Sequence, residues 1–165
     1  MRIRATHSHM HGEEFLYVHK PNLWIELQDA IDKSRFMPIE ASLSTVELAA
    51  LGEIGTPAAS NDNFAEELRT RGWAEYGDHL TLIRERVAVE WQTGSFSSVS
   101  SNSYANLLGL FLTDVIDVGI RIHSLHNLQA RESESFSGAS PDMFSCVLPH
   151  RAFPPVPLVL VAATL

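Results

Sequence analysis

The spacing of apolar residues changes partway along this chain, and that change constrains the fold more than any other feature. Leu23, Leu27 and Ile31 recur every four residues, which predicts a helix. The segment TLIRERVAVEW is instead rich in β-branched residues and predicts a strand hairpin. The closing segment PVPLVLVAA is almost continuously apolar and predicts a buried strand. Helical and extended segments in this order predict an α/β fold with a mixed central sheet flanked by helices.

The first part of the chain is predicted to be mainly helical. Residues 1–12 are polar and rich in histidine, and we expect an edge strand or a flexible arm there. Asn22 is a plausible N-cap of the first helix, with Glu26 placed to reach back toward the cap. Further along, the predicted features are a short helix at Ser44–Leu51, a loop at Gly52–Ser60, and a helix capped by Asn61 or Asp62 that ends with Gly72 in the C′ position.

The second part of the chain is predicted to alternate between strands and helices. The hairpin is expected to pair His79–Ile83 with Arg86–Trp91 through a turn at Arg84–Glu85. The remaining predicted elements are a helix at Ser103–Asp114 that buries Leu107, Leu108 and Phe111, a strand at Asp117–His123, and one helical turn near Pro141–Cys146.

Length and charge limit the classes of protein to consider. The 165 residues suit a single domain over residues 1–165, and 45% of them are hydrophobic, as in ordinary globular proteins. The formal net charge is −8, from 12 basic and 20 acidic residues. This charge argues against nucleic-acid binding by bulk electrostatics, although it leaves room for a local basic face across a dimer.

The sequence predicts a cytoplasmic protein without a membrane span. The first residues lack the apolar run of a secretory signal, and the apolar stretches at Leu107–Leu112 and Pro157–Ala163 are too short to cross a bilayer. Cys146 is the only cysteine, so no internal disulfide can form, and this fits a reducing compartment.

Three polar residues of the predicted hairpin are candidates for chemistry. Glu90 and Gln92 lie two positions apart and therefore point to the same face of a strand, and Asp78 at the start of the hairpin could approach that face. Two converging carboxylates can hold magnesium, which prefers oxygen ligands and can activate water for attack on a phosphodiester. This spacing is a weak pattern, and taken alone it favours an ordinary strand with one wet face.

Several segments together resemble the BglII-type restriction endonucleases of the PD-(D/E)XK nuclease superfamily. The segment RVAVEWQTGSF resembles the catalytic strand of that family and its following loop, and FAEELRTRGW resembles the preceding helix. The other similar segments, in the family's order, are THSHMHGEEFLYVHKPNLWIELQDAI, VIDVGIRI and PPVPLVLVA. The resemblance covers most of the chain and is weakest over residues 34–60 and 124–150.

The resemblance implies a magnesium-dependent type II site-specific deoxyribonuclease. By that resemblance Glu90 is a metal ligand, and Gln92 stands where many relatives carry lysine. The acidic ligand of the first strand would align with Thr81, which is a poor substitute for a carboxylate. Asp78 is the acidic residue nearest to Thr81 on its N-terminal side and lies twelve positions before Glu90. It is the predicted second ligand.

The resemblance also implies double-stranded DNA as partner and a homodimer whose two-fold symmetry matches a palindromic site. The loop after Gln92 is rich in serine, and such side chains can bind phosphates or base edges. The residues predicted to contact DNA are Ser95, Ser97, Ser98 and Asn102 in this loop and Arg84 and Arg86 in the hairpin.

Two other functions remain open from the sequence. Thr81 and the net charge of −8 favour a catalytically inactive relative that binds DNA or has a regulatory role. The alternating His7, His9 and His11 would share one face of a strand and could bind zinc or nickel, with His19 as a possible fourth ligand. The chain contains no G-x-S-x-G elbow, P-loop or dinucleotide-binding fingerprint.

Overall fold

A computed structural model describes residues 2–34, 57–77, 81–92, 104–124 and 155–164. The helices in these ranges are α1 (Gly12–His19), α2 (Pro21–Lys33), α3 (Pro57–Thr70) and α4 (Ala105–Leu112). The strands are β1 (Arg2–His9), β2 (Ala74–Glu75), β3 (Thr81–Arg84), β4 (Val87–Gln92), β5 (Val118–Ser124) and β6 (Leu158–Thr164). Along the described ranges, β1 is followed by the three helices α1, α2 and α3, then by β2, β3 and β4, and α4 lies between β4 and β5.

The six strands form one mixed sheet in the order β1-β6-β5-β4-β3-β2. β4, β5 and β6 run parallel to one another, and β1 and β3 pair antiparallel on either side of this group. The closing strand β6 therefore lies inside the sheet, and Leu158–Ala163 are fully buried there. A strand covered on both faces needs an almost continuous apolar sequence, which explains the pattern PLVLVAA.

Each face of the sheet has its own apolar core. On one face, Val89, Ile120 and Val161 pack with residues of α1, α2 and α3. On the other face, Ala88 and Leu160 pack with residues of α4. Residues that are paired across neighbouring strands lie on the same face, so the strand register assigns every position to one of these two faces.

Residues 2–9 form a strand at the edge of the sheet, so the edge-strand prediction is confirmed and the flexible-arm alternative is wrong. β1 pairs with β6 from Arg2 opposite Thr164 to His9 opposite Leu158. The hydroxyl group of Thr6 donates to the Glu13 carboxylate at 3.1 Å, and the Glu13 backbone N–H donates to Ser8 Oγ at 3.1 Å. These bonds join β1 to the first turn of α1, an element that the periodicity did not reveal.

Several predicted helix boundaries are wrong, and proline explains two of them. Helix α2 begins at Pro21, so Asn22 lies inside the helix and makes no cap. Helix α3 begins at Pro57 rather than at Asn61 or Asp62. The fixed φ of proline suits the first position of a helix, and its missing N–H has no helical partner to lose there. The C′ position of Gly72 is confirmed, with a φ of 86°.

The face of α4 was predicted in part. Leu107 is fully buried as expected, but the second buried residue is Leu110, while Leu108 and Phe111 are only half-buried. The helix has eight residues, whereas twelve were predicted. The short helix predicted at Ser44–Leu51 and the turn at Pro141–Cys146 lie outside the described residues.

The predicted hairpin is confirmed, with its turn one residue later than expected. Arg84 pairs directly with Val87, so Glu85 and Arg86 are the two turn residues. Both have positive φ, 47° and 67°, as a two-residue turn of the I′ type requires. Glycine or asparagine usually marks such a turn, and neither is present here, which is why the sequence misplaced it.

Candidate active site

A row of polar side chains crosses the middle of the apolar sheet on the face covered by α4. Thr81 on β3 is the register partner of Glu90 on β4, and Glu90 is the register partner of Arg121 on β5. All three residues are buried. The Thr81 hydroxyl group donates to Glu90 Oε1 at 3.2 Å, and Arg121 Nη1 donates to Glu90 Oε2 at 2.9 Å. The strand register thus places a carboxylate between a hydroxyl group and a guanidinium.

Helix α4 and the residue just before it each add one side chain above this row. Asn106 Nδ2 lies 2.7 Å from Glu90 Oε1 and 2.8 Å from Thr81 Oγ1, so the amide donates to both. The ring of Tyr104, just before the helix, lies 5.0 Å from Arg121 Cζ in a cation–π arrangement. Both oxygens of Glu90 therefore accept hydrogen bonds, one from neutral donors and the other from a cation.

The pair of Glu90 and Arg121 is the most deeply buried ion pair among the described residues. Their side chains are 10% and 7% exposed, whereas the other ion pairs in this part of the chain include at least one partner that is more than 20% exposed. Desolvation of two charges is costly, and removing only one of them costs about 3–5 kcal/mol in such pairs. Glu90 and Arg121 are therefore each expected to destabilise the fold if the other is removed.

His123 lies one register step beyond this row. It is opposite Gln92 on β4 and Ala162 on β6, and it is only 2% exposed. Burial, reinforced by the nearby charge of Arg121, lowers the pKa of His123 to about 3. The imidazole is therefore neutral at neutral pH, and its Nε2 finds no hydrogen-bond partner within the described ranges.

The structure brings together only some of the predicted site residues. Glu90 is at the centre of the polar row, and the backbone of Gln92 ends strand β4. Thr81, which by the resemblance stands at the position of an acidic ligand, is directly opposite Glu90 and fully buried. The predicted site residues Asp78, Ser95, Ser97, Ser98 and Asn102 lie outside the described residues, and their roles stay predictions.

The two arginines predicted to contact DNA are already bound to carboxylates. Arg84 Nη1 donates to Glu26 at 2.9 Å. Arg84 lies on the face of the sheet that α1, α2 and α3 cover, and Glu90 lies on the other face. Arg86 Nε donates to Asp117 at 3.0 Å, and its Nη2 donates to Asp114 at 2.6 Å. The hydrogen bonds that Arg86 donates to the carboxylates of Asp117 and Asp114 raise its pKa. These contacts give both arginines a structural role, and phosphate binding by them stays a prediction.

The three alternating histidines do not share a strand face. His7 and His9 belong to β1, but the strand ends there, and Met10 and His11 turn away with φ of 50° and 60°. The side chain of His11 is 89% exposed and points to Glu14, with its Nδ1 3.6 Å from Glu14 Oε1. Among the described residues, no group of three His, Cys, Asp or Glu side chains could hold a metal ion. The predicted zinc or nickel site on one strand face is therefore wrong.

The arrangement around Glu90 does not fit magnesium as it stands. The oxygens of a carboxylate suit this ion, but magnesium usually takes one or two carboxylates at about 2.0–2.1 Å and keeps several waters. The described residues supply a single carboxylate here, and one of its oxygens already binds the Arg121 guanidinium. A magnesium site at Glu90 therefore needs further oxygen ligands and the release of Arg121.

Sequence reasoning missed Asn106, Arg121 and Tyr104. A signal for Arg121 was present, because the segment VGIRIH carries Arg121 and His123 at alternate positions of an otherwise apolar strand. Two polar residues at this spacing lie on one strand face, and inside a parallel sheet they require buried partners. Asn106 gave no such signal, because one polar residue on a helix usually faces water.

In the described part of the chain, a mixed six-stranded sheet with helices on both faces and a buried carboxylate on β4 defines an α/β protein of the restriction-endonuclease type. The family model of restriction endonuclease BglII/BglIII matches residues 4–163, and the chain belongs to this family. The resemblance seen in the sequence and the predicted fold class are therefore confirmed. None of the curated proteins compared with the chain matches it.

No helix in the described ranges is long and apolar enough to cross a membrane.

Proposed function

We propose that this protein is a magnesium-dependent endonuclease that hydrolyses phosphodiester bonds in double-stranded DNA. Membership in the BglII/BglIII restriction endonuclease family supports this proposal. The single structural observation that carries it is the buried Glu90 on β4, held by three donors in the middle of an apolar sheet. Burying a carboxylate is costly even when it is paired, so a charged pair kept at such a position marks Glu90 as a candidate functional residue.

The proposed site consists of Glu90 with Asp78 and Gln92. Glu90 would hold the metal together with Asp78, and Gln92 would orient the attacking water, since an amide is neither a cation nor a base at neutral pH. The proposed quaternary structure is a homodimer, in which each subunit reads one half of a palindromic site. The proposed DNA contacts are Arg84, Arg86, Ser95, Ser97, Ser98 and Asn102. The proposed compartment is the cytoplasm.

The proposal is tested by cleavage of mixed plasmid and phage DNA with magnesium, comparing the wild-type protein with Glu90→Gln. Glutamine keeps the size of the side chain but removes the charge that a metal needs. We expect discrete fragments from the wild-type protein and a loss of at least about hundredfold in rate from Glu90→Gln. A variant of an exposed residue far from the site, Ile25→Ser, serves as control, because Ile25 is 62% exposed on α2.

A second candidate function is DNA binding without cleavage. Thr81 favours it, because this fully buried residue lies opposite Glu90 and offers a hydroxyl group where the resemblance to the family implies a carboxylate. The same assay separates the two functions when DNA retention is also measured. Intact DNA that is retained at low salt and released at high salt would support the second function. DNA that is neither cut nor retained would contradict both.

A further inference from the structure

We propose that Arg121 takes the place of a cation at Glu90, so that a divalent ion binds this carboxylate only in competition with Arg121. The inference rests on the proposed function, since it concerns the regulation of the same site. Its test is metal binding without DNA, which gives a result independent of cleavage.

The first support is the fixed position of the guanidinium. Arg121 Nη1 lies 2.9 Å from Glu90 Oε2, and the Tyr104 ring packs 5.0 Å from the guanidinium carbon. The side chain is only 7% exposed, and its strand lies between β4 and β6. Guanidinium is weakly hydrated and is therefore the cation that can be buried at the lowest cost. The charge at Glu90 is thus balanced without a metal.

The second support is that one carboxylate oxygen cannot serve both cations. Magnesium binds oxygen at about 2.0–2.1 Å, so an ion on Glu90 Oε2 would lie next to the guanidinium. Repulsion between cations is weakly screened in a buried site, and it opposes joint binding there. Glu90 Oε1 offers no free alternative, because it accepts hydrogen bonds from Asn106 and Thr81.

The third support is the neutrality of the other two donors. Asn106 and Thr81 carry no charge, and their hydrogen bonds to Oε1 leave the charge of Glu90 unchanged. Arg121 is therefore the residue whose departure changes the local charge balance. When it leaves, the buried carboxylate lacks a counterion, and a divalent ion can supply one.

The experiment titrates the metal-free, full-length protein with Mn²⁺ alone and measures free Mn²⁺ by electron paramagnetic resonance. We expect Arg121→Gln to bind Mn²⁺ at least about tenfold more tightly than the wild-type protein. The gain should disappear in the double variant Glu90→Gln/Arg121→Gln, which would locate the ion at Glu90. Equal or weaker binding by a folded Arg121→Gln variant would overturn the inference.

The matched control is Arg71→Gln. Arg71 is also a partly buried arginine paired with carboxylates, with its Nη2 2.7 Å from Asp29, but it lies at the end of α3 on the opposite face of the sheet. Its substitution should leave Mn²⁺ binding unchanged. A gain in Arg71→Gln equal to that in Arg121→Gln would show a general effect of removing positive charge and would also overturn the inference.

A loss of folding in Arg121→Gln would still give a result. In that case, millimolar Mn²⁺ should restore a cooperative thermal transition in Arg121→Gln but not in the double variant, because the ion would replace the missing counterion. Absence of such rescue would overturn the inference. DNA cleavage by the wild-type protein together with unchanged Mn²⁺ binding would refute the inference alone, whereas tighter binding with intact DNA would refute the proposed cleavage alone.

Discussion

His123 shows how one buried side chain makes the stability of the whole protein depend on pH. Its pKa is lowered from 6.5 to about 3 by burial and by Arg121, so the folded protein excludes a proton that the unfolded chain binds below about pH 6.5. Above that pH both states are neutral and His123 adds no pH dependence. As the pH falls toward 3, the unfolded state gains protonation that the folded state lacks, and stability decreases.

We therefore expect His123 to lower the free energy of unfolding by about 2 kcal/mol when the pH is lowered from 7.5 to 5. The measurement is urea unfolding at both pH values for the wild-type protein and His123→Leu, which has a side chain of similar size but no ionisable group. The variant should lose this part of the pH dependence. The same decrease in both proteins would contradict the assignment and would place the titration elsewhere.

At the scale of residues, the sequence predicted the position of Glu90 but not its surroundings. The alternation in RVAVEW places Glu90 on one strand face, and this is a local property of the chain. The partners Arg121 and Asn106 are brought to it by strand order and by the packing of α4, which depend on contacts between distant segments. A single sequence contains little information on such contacts.

Two glycines illustrate how an element is fixed against its neighbour. Gly12 begins α1, and a Cβ atom added there would meet the backbone oxygen of Leu158 at 2.6 Å and its carbonyl carbon at 2.7 Å. Gly109 lies within α4, and a Cβ atom there would have no neighbour within 4 Å among the described residues. The same substitution is therefore expected to have opposite effects in the two helices.

We expect Gly12→Ala to destabilise the protein by about 1–3 kcal/mol, because a clash with backbone atoms can be relieved only by moving α1 away from β6. Gly109→Ala should instead stabilise it by about 0.5–1 kcal/mol, since alanine loses less entropy than glycine in a helix. Thermal unfolding of both variants beside the wild-type protein measures the two effects. A loss of stability in Gly109→Ala equal to that in Gly12→Ala would refute the explanation from close packing.

The elements themselves differ in how well the sequence predicted them. The strands β4, β5 and β6 were predicted well, because short apolar segments rich in β-branched residues are typical of buried strands. Helix α1 was missed, because its segment GEEFLYVH is short and its packing on the sheet depends on hydrogen bonds to Thr6 and Ser8. The turn at Glu85 and Arg86 lacks the usual residues for positive φ, and bonds from Arg86 to Asp114 and Asp117 help to hold it.

For the molecule as a whole, the pairing of β1 with β6 joins the two most distant parts of the chain. Closing a loop of this length has an entropic cost of roughly 4–5 kcal/mol, so this pairing depends on the rest of the sheet. It is also necessary, because without β1 the fully buried β6 would become an exposed apolar edge. Such edges pair with other chains and aggregate.

We expect deletion of residues 2–9 to abolish the cooperative thermal transition and to cause aggregation. The control is His11→Ala, which changes a residue that is 89% exposed and lies outside the strand, and which should melt as the wild-type protein does. Light scattering and circular dichroism during heating distinguish the two variants. A soluble deletion variant with the wild-type midpoint would mean that the segment contributes no essential strand.

The register of β1 and β6 also affects how the protein should be prepared for metal titrations. Arg2 lies directly opposite Thr164, at the same end of the sheet as Gln92 and His123, the last register pair of β4 and β5. A polyhistidine purification tag attached before Arg2 or after Thr164 would therefore emerge at the end of the sheet where Gln92 lies. Because imidazoles bind transition metals such as manganese, the tag would contribute a local excess of ligand. Cleaving the tag before Mn²⁺ is added keeps the titration specific for Glu90.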